Sequence, residues 1–220
     1  MNVNQKDWSC PKKQQSRMDT IISPYREHFS PSLSKQLQYW TLCGQCATPE
    51  GNPLKGCELD QMVQEGLIDP SQFHGVEISA EIHKLNGSGW PDVHWHNDDL
   101  YRAMVGAQSQ GWFKPGIVNC DFPKTIDSSA ASCTAKILAM LSEQPQDIFF
   151  LANFIVRKRF YTSKDGNYII EYLNKFPQFR LAFSKGWQYD GRYYTYNGTG
   201  NVGSRTFMST FIFVKKTIQK

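Results

Sequence analysis

From Gln38 onward, short runs of aromatic and β-branched residues alternate with segments whose apolar residues recur at helical spacing. Strands are expected over 38–42, 73–78, 93–96, 117–122 and 147–156. Between the first two, Leu59, Met62, Val63 and Leu67 fall at i, i+3, i+4 and i+8 and form one apolar stripe, closed by Gly66 and Asp69-Pro70. Ser79 is placed to cap a helix that runs to Leu85 and stops at Asn86-Gly87. Further helices are expected over 100–105, 129–142 and 165–175. Strands joined through helices cannot form tight hairpins, so they pair in parallel beneath a cover of helices. The run 147–156 is broken only by Asn153, as suits a strand buried on both faces. Beyond Trp187 the texture changes to two β segments, 193–196 and 208–214, around Asn197-Gly198-Thr199-Gly200-Asn201, which reads as an antiparallel hairpin. The expected fold is therefore α/β: a three-layer sandwich with a mostly parallel sheet and a C-terminal antiparallel hairpin.

With 220 residues, 40% of them hydrophobic, the chain can bury one sizeable core but hardly two. Residues 1–35 mix Lys12, Lys13, Arg17 and Arg26 with polar side chains and end at Ser30-Pro31-Ser32, so they read as a basic, polar arm with at most a short helix. Residues 36–220 make the domain. No apolar stretch is long enough to cross a bilayer and the start lacks a signal-peptide core, so a cytoplasmic protein without a membrane partner is expected. The six cysteines, unevenly spaced, suit reduced thiols. Net charge is +4, with acids concentrated over 58–99 and basic clusters at Arg157-Lys158-Arg159 and Lys215-Lys216, a distribution that permits a polyanionic partner. Nothing in the sequence specifies an oligomeric state.

In open parallel sheets a ligand lies outside the carboxyl ends of the strands, near the point where strand order reverses. Glu77 follows the second strand, where a carboxylate can accept both hydroxyls of a ribose. Asp98 and Asp99 follow the third, as acceptors suited to an adenine amino group. Asn119 and Asp121, then Phe122-Pro123, follow the fourth. Each has a structural alternative, since a carboxylate after a strand also caps the next helix. Ser79 relieves Glu77 of that task, whereas Asp98-Asp99 serve either role.

The order of an aromatic strand, a glycine-bearing loop, Gly75-Val76-Glu77-Ile78, His96-Asn97-Asp98-Asp99-Leu100 and Ile117-Val118-Asn119-Cys120-Asp121-Phe122-Pro123 resembles the class I, Rossmann-like, S-adenosylmethionine-dependent methyltransferases over about residues 36–216. The closing hairpin fits the antiparallel seventh strand of that fold. The resemblance implies S-adenosylmethionine as cofactor, with Glu77 on the ribose, Asp99 before Asp98 on the adenine, and Thr41, Gly44, Ile78 and Asn119 bordering the pocket. The family's first motif carries an acid on the first strand and closely spaced glycines. Here the chain reads Thr41-Leu42-Cys43-Gly44-Gln45-Cys46, and Glu58 at the next helix start stands in for the acid. Asn119 to Lys124 also echoes the signature of enzymes that methylate base amines. By that likeness Asp121, Asn119 and Lys124 are the catalytic candidates, Phe122 and Pro123 meet a base, and Arg157, Lys158 and Arg159 meet a DNA or RNA backbone. A non-catalytic Rossmann-like binding protein with a degenerate cofactor loop and a methyltransferase for a small molecule are the alternatives.

Two clusters invite a metal reading. Cys43, Cys46 and Cys57 with His74 offer four zinc-type ligands but lack a second tight pair, so packing beneath a loop is the preferred reading. His94 and His96 share one strand face without a third convincing ligand, with Trp95 turned toward the core. No metal is expected. Asn197-Gly198-Thr199-Gly200-Asn201 resembles a phosphate loop but opens no helix, and is read as a turn.

Overall fold

A computed structural model describes residues 11–122, 128–156, 171, 174–181 and 207–217. The strands β1 (Gln38–Leu42), β2 (Phe73–Val76), β3 (His94–His96), β4 (Pro115–Phe122), β5 (Ile148–Val156), β6 (Phe179–Leu181) and β7 (Phe207–Lys215) form a seven-stranded sheet in the order β3-β2-β1-β4-β5-β7-β6. β1 pairs in parallel with β2 and β4, and β2 with β3, whereas β7 runs antiparallel to β5 and β6. The chain is thus mixed α/β, mostly parallel with an antiparallel C-terminal part. It divides within β4 into two compact units, Met1–Asn119 and Cys120–Lys220.

In the first unit, register sorts the strand residues onto two faces. Tyr39 and Thr41 lie beside Phe73, Gly75, Ile117 and Asn119, while Trp40 lies beside His74 and Val118 on the other face. Gly75 is required by its neighbours, because a Cβ there would stand 2.3 Å from the Trp95 ring and 2.7 Å from Cys43 Sγ. After β1, α3 (Glu58–Gln64) buries Leu59 and Met62 fully. It ends in a left-handed turn at Gly66 (φ 66°), with Gly66 N–H donating to Val63 O and Leu67 N–H to Met62 O. Leu67, which continues the apolar stripe in sequence, is therefore buried from beyond the helix end rather than from within it.

α4 (Ala80–Gly89) is capped by Ser79, whose Oγ accepts from Ile82 N–H at 3.4 Å, and it continues past Asn86-Gly87. α5 (Leu100–Ser109) likewise outruns its expected end and buries Leu100, Met104 and Ala107. Residues 11–28 form α1 (Pro11–Arg17), a turn of π-helix (Met18–Ile22) and α2 (Ser23–His28), burying Ile21, Ile22 and Tyr25. They are tied to the rest of the unit by Arg17 Nη1 donating to Gly56 O at 3.0 Å.

In the second unit, α6 (Ser128–Ser142) buries Ile137, Leu138 and Leu141. Residues 148–152 of β5 are fully buried, and β5 pairs along its length with β7. The one polar residue of that run, Asn153, faces Thr210 in register and accepts its hydroxyl hydrogen at 2.5 Å. β6 was not anticipated. The expected strand over 193–196, the turn at 197–201 and most of the helix over 165–175 lie outside the described residues.

Candidate functional site

Strand order reverses between β1 and β4, and Thr41 and Asn119 are register partners there. Their side chains are buried, and neither Thr41 Oγ1 nor Asn119 Oδ1 has a hydrogen-bond partner among the described residues. Above them Glu58, only 9% exposed, accepts at Oε1 from Tyr39 Oη at 2.7 Å and from Asn119 Nδ2 at 3.0 Å. Burial, and then the carboxylate itself, push the Tyr39 phenol well above its usual pKa, so it remains a donor. Glu58, at the start of α3, is thus held by the core of the unit.

The loop after Leu42 is packed rather than open. Cys43, Gln45, Cys46 and Ala47 are all buried. Asn86, fully buried on α4, accepts from Cys46 N–H at 2.7 Å and donates to Gly44 O at 3.0 Å, and Trp90 Nε1 donates to Cys46 O at 2.8 Å. These two clamps were invisible in the sequence, where Asn86 read as a helix stop. Cys57 caps α3, its Sγ accepting from Asp60 N–H at 3.4 Å. Burial raises Cys43, while a neighbouring thiol first and burial after it raise Cys46 and Cys57, so these are neutral thiols. His74 belongs to the opposite face, stacked on Trp40 at 4.4 Å, and no metal-holding group of three such ligands occurs among the described residues.

The carboxyl ends of β2 and β3 are more open. Glu77 is half-buried, its Oε1 accepting from Ser79 N–H at 2.8 Å. Asn97 Nδ2 fixes the turn by donating to Glu77 O at 2.9 Å and Ile78 O at 3.0 Å. Ile78, two residues beyond β2, is 71% exposed. The two aspartates divide their roles. Asp99 caps α5, with Oδ1 accepting from Arg102 N–H at 2.9 Å and Oδ2 lying 3.3 Å from Arg102 Nε. Asp98 is exposed and accepts only from Asp99 N–H, at 2.8 Å, among its described bonds. Asp99 thus fills the helix-capping role that its position allowed, while Asp98 stands exposed beside it.

Asp121 is exposed near the end of β4 in the second unit, while Cys120 is buried. The side chain of Phe122, together with Pro123, Lys124, Arg157, Lys158 and Arg159, lies outside the described residues.

The fold and the strand-end residues define an α/β protein with a mostly parallel sheet. No known protein family matches the sequence, and no curated protein does. Among solved structures the chain is similar to an E. coli protein described as a candidate DNA modification methyltransferase encoded within a prophage, with 15% identity and a TM-score of 0.38 over 66% of this chain. The chain covers 41% of that protein's length. No helix among the described residues is long and apolar enough to cross a membrane.

Proposed function

We propose that the protein is an S-adenosylmethionine-dependent methyltransferase acting on nucleic acid at a base amine. The observation that carries this reading is the end of β2, where one oxygen of the Glu77 carboxylate has no hydrogen bond among the described residues and the next residue, Ile78, is exposed. A carboxylate oxygen so placed accepts from ribose hydroxyls, and the aliphatic side chain offers an apolar surface to the flat adenine ring. Asp98 takes the adenine amino group in place of Asp99. At the reversal point, the orphaned Thr41 Oγ1 and Asn119 Oδ1 beside Glu58 fit a group that donates hydrogen bonds, as the ammonium of the cofactor's amino-acid end does.

S-adenosylmethionine supplies a methyl group already activated on a sulfonium. The protein's task is then to bind, orient and exclude water, with little covalent work. Asp121 and Asn119 are assigned to the acceptor amine and Lys124 to a substrate anion. Phe122 and Pro123 are assigned to the base, and Arg157, Lys158 and Arg159 to the backbone, all from the sequence resemblance.

Calorimetric titration with S-adenosylmethionine and S-adenosylhomocysteine tests this reading, and Glu77→Ala is expected to weaken either ligand at least tenfold. No heat at millimolar ligand, or an unchanged affinity in the variant, overturns it. The buried, doubly clamped loop at Gly44 favours one second reading, a Rossmann-like binding protein without catalysis. That reading predicts nucleic-acid binding that weakens with salt but no response to either cofactor form.

A further inference from the structure

We propose that a cleft at the amino edge of the first unit's sheet binds a nucleoside monophosphate unit, at a place separate from the carboxyl-end residues described above. The cleft holds about 390 Å³, within the range of small-ligand sites. It is formed where the chain enters four strands, by Lys35 and Gln38 before or at the start of β1, Ser71 and Gln72 before β2, His94 at β3 and Trp112 before β4.

Its floor is fixed. Gln38 Nε2 donates to Trp112 O at 3.0 Å, while Gln38 Oε1 accepts from Trp40 Nε1 at 3.0 Å and Lys114 N–H at 2.8 Å. Gln72 Nε2 donates to Ser34 O and Leu37 O at 2.8 and 2.9 Å, and its Oε1 accepts from Asp69 N–H at 2.9 Å. Both amides are spent on joining the entering segments, so the cleft is preformed and its polar floor offers nothing further to a ligand.

The rim is different. Among the described residues, the exposed Lys35 and Ser71 make no side-chain hydrogen bond or ion pair and no carboxylate lines the cleft. One ammonium and one hydroxyl with no opposing acid favour a phosphate or similar anion. Beside Gln36 and Leu37, the rest of the wall is aromatic. Trp112 lies nearly parallel to Trp40, His74 and His96, with centroids 5.9, 5.5 and 6.1 Å away, and the exposed His94 stacks on His74 at 4.6 Å. A tier of parallel rings ending at the cleft is a platform on which a base can stack. A flat heteroaromatic ring carrying an anion, as in a free nucleotide or one unit of a single strand, satisfies both features.

Titration of the full chain with adenosine 5′-monophosphate, adenosine, inorganic phosphate and a short single-stranded DNA oligonucleotide tests the inference. The monophosphate is expected to bind at least fivefold more tightly than adenosine or phosphate. Lys35→Ala should reduce its affinity to the level of adenosine, and Trp112→Leu should weaken both. Competition by the oligonucleotide identifies a strand as the source of the unit, and its absence identifies a free nucleotide. Because Trp112 contributes to the ring stack, the exposed Lys35→Ala keeps the test valid if Trp112→Leu does not fold. Monophosphate binding that is absent at millimolar concentration, or indifferent to Lys35→Ala, overturns the proposal. So does binding lost in Glu77→Ala, which would place the nucleotide at the carboxyl edge. Failure of the cofactor titration leaves this experiment unaffected.

Discussion

At the scale of single residues, the first unit depends on close approaches that admit no substitute. Gly75 is the clearest, since the Trp95 ring and Cys43 Sγ occupy the space of any side chain. Gly75→Ala is expected to lower unfolding stability by about 1–3 kcal/mol, read as a lower urea midpoint at unchanged m-value. Asn86 acts through hydrogen bonds instead. Truncation to Ala strands a buried Cys46 N–H and a Gly44 carbonyl, at a cost of about 2 kcal/mol, and should free the first loop for amide hydrogen exchange ahead of global unfolding. The sequence offered Gly75 only as part of a strand and Asn86 only as punctuation. The partners that give them meaning lie twenty and forty residues away, and no local pattern records them.

Among the elements, periodicity was the reliable guide. β1 matches its expected span, carried by the aromatic and β-branched run Tyr39-Trp40-Thr41 at its centre. Helix ends were less legible. α4 and α5 continue because packing of Asn86 and Ala107, both buried, outweighs the local Gly and polar signals. Lys215 shows the same tension at the other end of the chain. The sequence groups it with Lys216 as a basic cluster open to a polyanion, yet it is buried at the end of β7, where its ammonium donates to Ser142 O at 3.3 Å and also to Gln144 O. Burial lowers its pKa while the carbonyls at the end of α6 hold its hydrogens. Lys215→Met preserves the stem and removes the cap, so a loss of about 1–2 kcal/mol is expected. A thermal transition unchanged from the parent would show that the ammonium contributes nothing.

For the molecule as a whole, the aromatic and imidazole tier makes stability depend on acid. Burial, then the neighbouring imidazoles, drive His74 down to about 2 and His96 to about 4, with His74 Nδ1 lying 3.2 Å from His96 Nε2. Both are neutral in the folded chain, whereas in the unfolded chain they take up protons near pH 6.5. Stability from this pair is therefore complete above about pH 6.5 and is lost as pH falls toward 4 and below. Unfolding midpoints measured across pH 4–7 should fall on the acid side, and His96→Gln should flatten that slope. An identical slope in the variant would assign the acid sensitivity elsewhere.

What the sequence determined by itself is the alternation of strands and helices and, through it, a mostly parallel sheet whose strand ends carry Glu77, Asp98 and Asp99. Those follow from hydrophobic period and turn chemistry, which act over a few residues. Only the tertiary structure decided what else reaches each acid. Capping consumes Asp99 and leaves Asp98 exposed, the core claims Glu58 through Tyr39 and Asn119, and Asn86 closes the loop at Gly44. The reason is that a carboxylate's availability depends on what else reaches it, and those partners are assembled by the fold, not by their spacing along the chain.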